Sequence, residues 1–482
     1  VSVARRLGLL LGALACLSPI PAGAQGYRLR LDSRFQSVSF RGLMPDSIPI
    51  GGVVIGPTGG FETPDGFAVN CLPGGDYCTF FRPGPKLASA PLVSSADVTV
   101  WGLGVPGLSV RGNARWGVDL ASDDFWPGTR PEVQLVEGYA EYATEVVTGR
   151  LGRQQVTGRL GWHGFDGADL RLHWPRQGLE ASAYGGWDLA RATNVPINSP
   201  SLNPLDEYQL SRRAIVAGGE LGWRSRYVDA RAEYRREVDP AADLFIAERT
   251  ALTAVFRPAR HVTIGGGAEY DLAQGWWGSS DLSLSYNANR LSGQAGVRRY
   301  RPFFELWTIW GAFSPVPYTS IDGSIAVAPL HQLRVRVSGE RYWFDGSGAE
   351  TALARFEDHG WRFSLGGTGL VAPWLTIEGG YHAEVGPGAN SRTWDGRATL
   401  SPMPALSLAL FGSTLTRPLE FRYDEAQVDA VGIDAEFRPT ETLRLALSGS
   451  QYFEDRRRPD ARAFDWNQFR VQARVTWLFG SD

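Results

Sequence analysis

Residues 469–479 read FRVQARVTWLF. Every second residue, Phe469, Val471, Ala473, Val475, Trp477 and Phe479, is apolar, and between them stand Arg470, Gln472, Arg474, Thr476 and Leu478. Side chains of an extended chain point alternately to opposite faces, so this stretch is a strand with one apolar and one mostly polar face. A half-buried strand of a soluble sandwich shows the same alternation. The rest of the chain separates the two cases, because strands of this kind recur over nearly all 482 residues without a helical interlude.

The repeat is clearest at its turns. Pro106, Pro175, Pro258, Pro329, Pro373, Pro404 and Pro439 each precede a strand of alternating apolar residues, as in Leu333-Val335-Val337, Leu406-Leu408-Leu410 and Leu443-Leu445-Leu447. Proline fixes φ and cannot donate to a ladder, so it belongs in turns. Three further short turns lie near Thr144, Ser225 and Asn289, and longer polar segments fall near 120–131, 156–166, 190–210, 346–357 and 455–464. Short turns at one end and long loops at the other, joined by strands of about ten residues, predict an all-β transmembrane antiparallel up-and-down barrel. Ten short turns with both termini on one side give about 22 strands, within a range of roughly 18–24 if 303–317 hides another pair. Aromatics make up 12% of the chain with 17 Trp, and Trp101, Trp116, Trp187, Trp223, Tyr270, Trp343, Trp361, Trp374 and Trp477 fall where strands meet turns or loops, as girdles at two bilayer interfaces would.

Residues 1–24 read as a secretory signal: Arg5 and Arg6, an apolar run Leu7–Leu17 too short to span a bilayer, and the small-residue site Ala22-Gly23-Ala24. The rival, lipidation at Cys16, asks for Leu where Ala13 stands. Residues 25–482 are expected to form the barrel, interrupted by a long Gly/Pro-rich stretch at 43–92 that carries Cys71 and Cys78. Two cysteines seven apart in an exported chain are expected to form one disulfide. Without Arg5 and Arg6 the chain keeps 46 basic against 51 acidic residues, which excludes a general nucleic-acid binder. Lys86 is the only lysine.

If the apolar face meets lipid, the alternate face lines the lumen. The pore-lining candidates are Arg111, Arg115, Glu137, Glu141, Arg150, Gln154, Asp169, Arg171, Arg231, Glu233, Arg235, Arg334, Arg336, Arg362, Glu436, Arg444, Arg470 and Arg474. Asp229, Glu269, Glu340 and Asp434 fall on the same face. Charges at this density need water or mutual pairing. Either they neutralise one another along the wall, or they form a constriction that selects solutes. Residues 299–318 (RYRPFFELWTIWGAFSPVPY) form the most aromatic stretch, read as strand plus girdle or as a lumen loop presenting Phe303, Phe304, Trp307 and Trp310.

The strand at 469–479 resembles the closing strand of bacterial outer-membrane barrels, in which a terminal aromatic forms part of the assembly signal; here Gly480, Ser481 and Asp482 follow Phe479. Residues 139–155 (YAEYATEVVTGRLGRQQ), with Gly161-Trp162 and Phe165-Asp166-Gly167, resemble the strand pair with a Gly-Arg-Gln element of the alginate-export type of porin. This likeness covers about thirty residues. It implies an outer-membrane porin with Arg150, Arg153 and Gln154 on the pore wall. A dedicated polyanion exporter should have a predominantly positive lumen, whereas this one is mixed.

Enzymatic signatures are scarce. Gly102-Leu103-Gly104-Val105-Pro106-Gly107 matches GxGxxG, but a proline turn stands where a helix should begin. Histidines 163, 173, 261, 331, 359 and 382 give no i,i+4 pair for zinc, and only His173 near Asp169 suggests a catalytic arrangement. The sequence therefore predicts no enzyme, cofactor or metal. It predicts a monomeric or trimeric porin-like passive channel for small hydrophilic solutes in the bacterial outer membrane. Its partners would be the outer-membrane assembly machinery and membrane lipid, including lipopolysaccharide at Arg456, Arg457 and Arg458. The alternatives are a surface-exposed structural or binding barrel closed by its loops, and an alginate-like polysaccharide exporter.

Overall fold

The computed structural model describes residues 26–56, 59–121, 133–189, 214–240, 244–301, 317–345, 359–386, 391–416, 426–456 and 467–481. Their fold is one 24-stranded antiparallel sheet with a small two-stranded annex. Two of the 24 strands, Val69–Cys71 and Tyr77–Ser89, belong to an arm described below, and the other 22 close into a barrel. Neighbours in the wall are neighbours in sequence. Closure comes from the first strand, Gly26–Pro49, which pairs on one side with Pro91–Trp101 (Gly26↔Trp101 to Phe35↔Leu92) and on the other with Gln468–Ser481 (Tyr27↔Ser481 to Ser37↔Val471). The ten short turns fall where proline or Thr144, Ser225 and Asn289 announce them, all at the end of the barrel that holds Gly26 and Ser481.

The side chains explain why this sheet closes rather than stacks. Alternate positions carry large apolar groups open to the surroundings: Leu151 is 69% exposed, Leu221 66%, Ile433 59% and Ile325 57%. A ring of such residues in mid-strand far exceeds the apolar patches of soluble proteins and suits hydrocarbon. Exposed Trp174, Trp223, Trp374 and Trp477 bound this band at the short-turn end, and Trp187, Trp277, Trp361 and Trp394 at the loop end. Every backbone donor within a closed ladder finds its partner, the condition for crossing a bilayer with strands. This is the architecture of an outer-membrane β-barrel.

Two expectations change. The stretch 43–92 is not irregular throughout: the first strand runs on to Pro49 and pairs from Val38↔Ser89 to Pro49↔Tyr77, lifting the first hairpin beyond the wall as an arm. Pro45, Pro49 and Pro83 are tolerated because each stands where its strand has a free edge: residues 38–49 pair only with Tyr77–Ser89, and Val69–Cys71 covers that strand only at Cys78–Phe80. Cys71 and Cys78 are opposed in this arm and form the expected disulfide. The segment 156–166 is not a long loop either, since Val147–Gly158 and Gly161–Trp174 meet in a two-residue turn. Its polar, Gly-rich composition is that of a loop, yet Gly161 at φ 92° lets the chain reverse at once. The strands flanking 302–316 pair directly with each other (Tyr300↔Tyr318), so the wall count stays at 22. The aromatic cluster Phe303, Phe304, Trp307 and Trp310, the signal segment 1–24, the lipidation position Cys16 and the arginines at 457 and 458 lie outside the described residues. So do most of the loops expected at 120–131, 190–210, 346–357 and 455–464.

Candidate functional site: the barrel interior

The polar face holds its charges mostly in pairs between adjacent strands. Arg111 donates to Asp97 (2.9 Å) and lies 3.3 Å from Glu137. Glu141 accepts from Arg150 (2.6 Å), Glu220 lies 3.0 Å from Arg231, and Asp169 accepts from Arg171 (3.1 Å). Glu436 lies between Arg438 (2.7 Å) and Arg444, and Arg474 meets Asp32 at 2.6 Å. Arg470 donates to Gln468 (3.0 Å) and covers the Tyr452 ring at 4.7 Å. Arg334 reaches Ser292 (3.4 Å), and Arg115 faces Ser95 across the ladder. Gln154 is only 2% exposed and donates to the Gly167 carbonyl (3.1 Å). Arg153 differs from the expectation for it: it pairs with Asp166 (2.7 Å) on the face shared with Leu151, because an odd step along the strand reverses the side. His173 lies 3.9 Å from Glu180 while Asp169 is engaged by Arg171, so the described contacts do not link His173 with Asp169.

The interior is divided by the tip of the Val147–Gly158/Gly161–Trp174 hairpin. Its two turn residues touch strands that are not its neighbours in the wall, so the tip lies across the lumen. The Glu233 carboxylate accepts the backbone N–H groups of Arg159 (2.9 Å) and Leu160 (3.2 Å). The Arg159 guanidinium lies 2.6 Å from Asp281, donates to the Ser279 carbonyl (3.2 Å) and stands 3.8 Å from Glu269. Arg249, itself bound to Glu269 (2.6 Å), donates to the Leu160 carbonyl at 3.4 Å. Two glycines make room: a side chain at Gly158 would collide with the Glu233 carboxylate, and one at Gly267 with the Arg159 guanidinium. On the hairpin side the interior is largely filled, with a cavity of about 150 Å³ beside the tip. His163, Phe165, Arg235 and Glu237 are buried, Arg235 meets Glu237 at 3.0 Å, and His163 lies 3.1 Å from Asp188.

Across the lumen the wall stays open. A cavity of about 750 Å³ runs along strands from Asp281 to Thr393, lined by a charged row: Arg298 to Glu340 (2.7 Å), Glu340 to Arg362 (3.2 Å), Arg362 to Glu384 (3.0 Å). A second, of about 720 Å³, extends towards the short-turn end between Ser285, Asn287, Arg334 and Glu378. The two share Gln294, Ser324, Arg336 and His382. The sequence named Arg362, Glu340 and Arg336 by alternation but missed Arg298, Glu384 and above all Arg159, whose role depends on where a turn points. Among the described residues no group of three or more His, Cys, Asp or Glu side chains is placed to hold a metal ion.

The class defined by this geometry is a membrane-spanning antiparallel β-barrel with a narrowed polar interior. No protein-family model matches the chain, and no curated protein matches it. Among solved structures it is similar to the siderophore receptor PirA from Pseudomonas aeruginosa, at 12% identity and TM-score 0.44, over 94% of this chain and 80% of that one. It is also similar to OccAB4 of Acinetobacter baumannii (11% identity, TM-score 0.41, 95% and 98% covered) and to a variant of OccD1 (OprD) (8% identity, TM-score 0.39, 95% and 96% covered). At such identities and scores, what the barrel does must come from its own wall.

Proposed function

We propose that the protein is a passive, porin-like channel of the bacterial outer membrane, admitting small hydrophilic solutes along the wall opposite the inserted hairpin. The observation that supports this reading most is the pair of adjoining polar cavities, joined at Gln294, Ser324, Arg336 and His382. In this reading the short turns face the periplasm and the loops the exterior. The pore-lining candidates then act in two ways. Those on the hairpin side, such as Arg235 and Glu233, lock the constriction, while Arg334, Arg336 and Arg362 with their carboxylate neighbours face the permeating solute. Cations and anions are interleaved along this row, which favours uncharged or zwitterionic solutes over a polyanion such as alginate.

The inserted hairpin also favours a second reading, a barrel closed to solutes that serves as a surface structural or binding protein. Reconstitution in planar bilayers tests the two. Discrete conductance steps are expected from the channel, and a silent membrane at high protein load would overturn it.

A further inference from the structure

The lipid-side face of the strand Leu333–Phe344 reads Leu333, Val335, Val337, Gly339, Arg341, Trp343. Arg341 is its one charge. Directly across the ladder stand Trp361 on one side and Ile321 on the other, 54% and 56% exposed. The guanidinium carbon lies 4.9 Å from the centroid of Trp343 and 4.9 Å from that of Trp361, so two indoles frame it. No carboxylate among the described residues pairs with it, and its Nε is buried without a hydrogen-bond partner among them. Arg299, another arginine on this face, is already bound to Asp345 (2.7 Å).

Cation–π attraction compensates part of the charge, but indole faces satisfy none of the in-plane N–H donors of a guanidinium. A lone cation on a lipid-facing wall is costly in hydrocarbon and favourable only where an anion is at hand. Arg341 sits in the aromatic belt at the loop end, the depth of lipid headgroups. The counter-charge that no described residue supplies is available there from lipid, and a planar fork matches phosphate oxygens two at a time.

We propose that Arg341, framed by Trp343 and Trp361, binds the phosphate group of a phosphorylated lipid in the outer leaflet. This rests on the wall being embedded in lipid and not on the channel being open.

Native mass spectrometry of the purified full-length barrel, mixed with bisphosphorylated lipid A or with the same lipid stripped of phosphate, tests it. Wild type should retain the phosphorylated lipid and release the stripped one. Arg341→Gln should weaken retention about tenfold, the scale of one charge-assisted contact, while the lumenal control Arg336→Gln should not. Equal retention of both lipids by wild type, or undiminished retention by Arg341→Gln, would overturn the proposal. Should Arg341→Gln fail to fold, the comparison of the two lipids on wild type decides alone.

Discussion

Glu233 holds Arg159 by its backbone: one carboxylate oxygen accepts the Arg159 N–H at 2.9 Å, and the other accepts that of Leu160. The two residues are 74 positions apart, and the bond fixes a hairpin tip inside the lumen. Hydrogen bonds to a charged acceptor contribute about 2 kcal/mol each. Glu233→Ala should therefore free the tip, raising single-channel conductance and open-channel noise. A conductance equal to wild type would show that the tip does not set the bore.

Arg159→Ala should act on selectivity. Glu269 and Asp281 would lose a shared cation and leave their negative charge directed at the lumen. The reversal potential in a salt gradient should shift towards cation preference, with the shift shrinking at high ionic strength as charges are screened. The opposite sign, or none, would place Arg159 away from the ion path.

Asp32 closes the seam between the first and last strands. It is 8% exposed and accepts from Arg474 (2.6 Å), Thr476 (2.9 Å) and Arg34 (3.1 Å). Arg474 retains some water contact, so Asp32→Ala should cost about 1–3 kcal/mol rather than the larger penalty of a dry ion pair. Urea unfolding of the detergent-solubilised barrel would measure it.

Trp477 and Phe479 pack together on the lipid side of the closing strand, ring centroids 4.6 Å apart. Replacing both by Ser removes the apolar end of the strand that completes the wall. Outer-membrane levels should fall, with less of the heat-modifiable gel form. Normal levels of that form would count against a role in assembly.

The disulfide lies in the arm beyond the wall, so its loss should be local. In the chain-entropy account a loop this small contributes on the order of 2–3 kcal/mol. Cys71→Ser should leave barrel unfolding nearly unchanged while exposing the arm to limited proteolysis. A large drop in barrel stability would mean that the arm braces the wall.

Alternation and proline turns made the barrel legible because both are local. Strand polarity shows which face a residue occupies, and ten short turns lead directly to 22 strands. The interior was legible only as a face. Arg159 could not be recognised, since whether a Gly-bounded polar turn stands outside or folds inward depends on an acceptor 74 residues away. Pairing beyond the wall was hidden for a similar reason: prolines argue against a strand unless its edge is free. Arg341 escaped notice because alternation assigns arginines to the lumen by default, and this one falls on the lipid side of its strand.

The first strand's double pairing has a kinetic consequence. Residues 27–37 bind 471–481 on one edge and the strand Pro91–Trp101 on the other, so the seam joins positions from 434 (Ser37↔Val471) to 454 (Tyr27↔Ser481) apart. Until that clasp engages, the growing sheet carries two bare edges, each a template for mispairing. The entropic cost of so distant a closure grows only logarithmically with chain length, but the search for it comes last. Insertion should therefore behave as a zipper with a single late click. Agents that compete for either free edge, such as a peptide copying residues 469–479, should trap the barrel unclasped at the membrane.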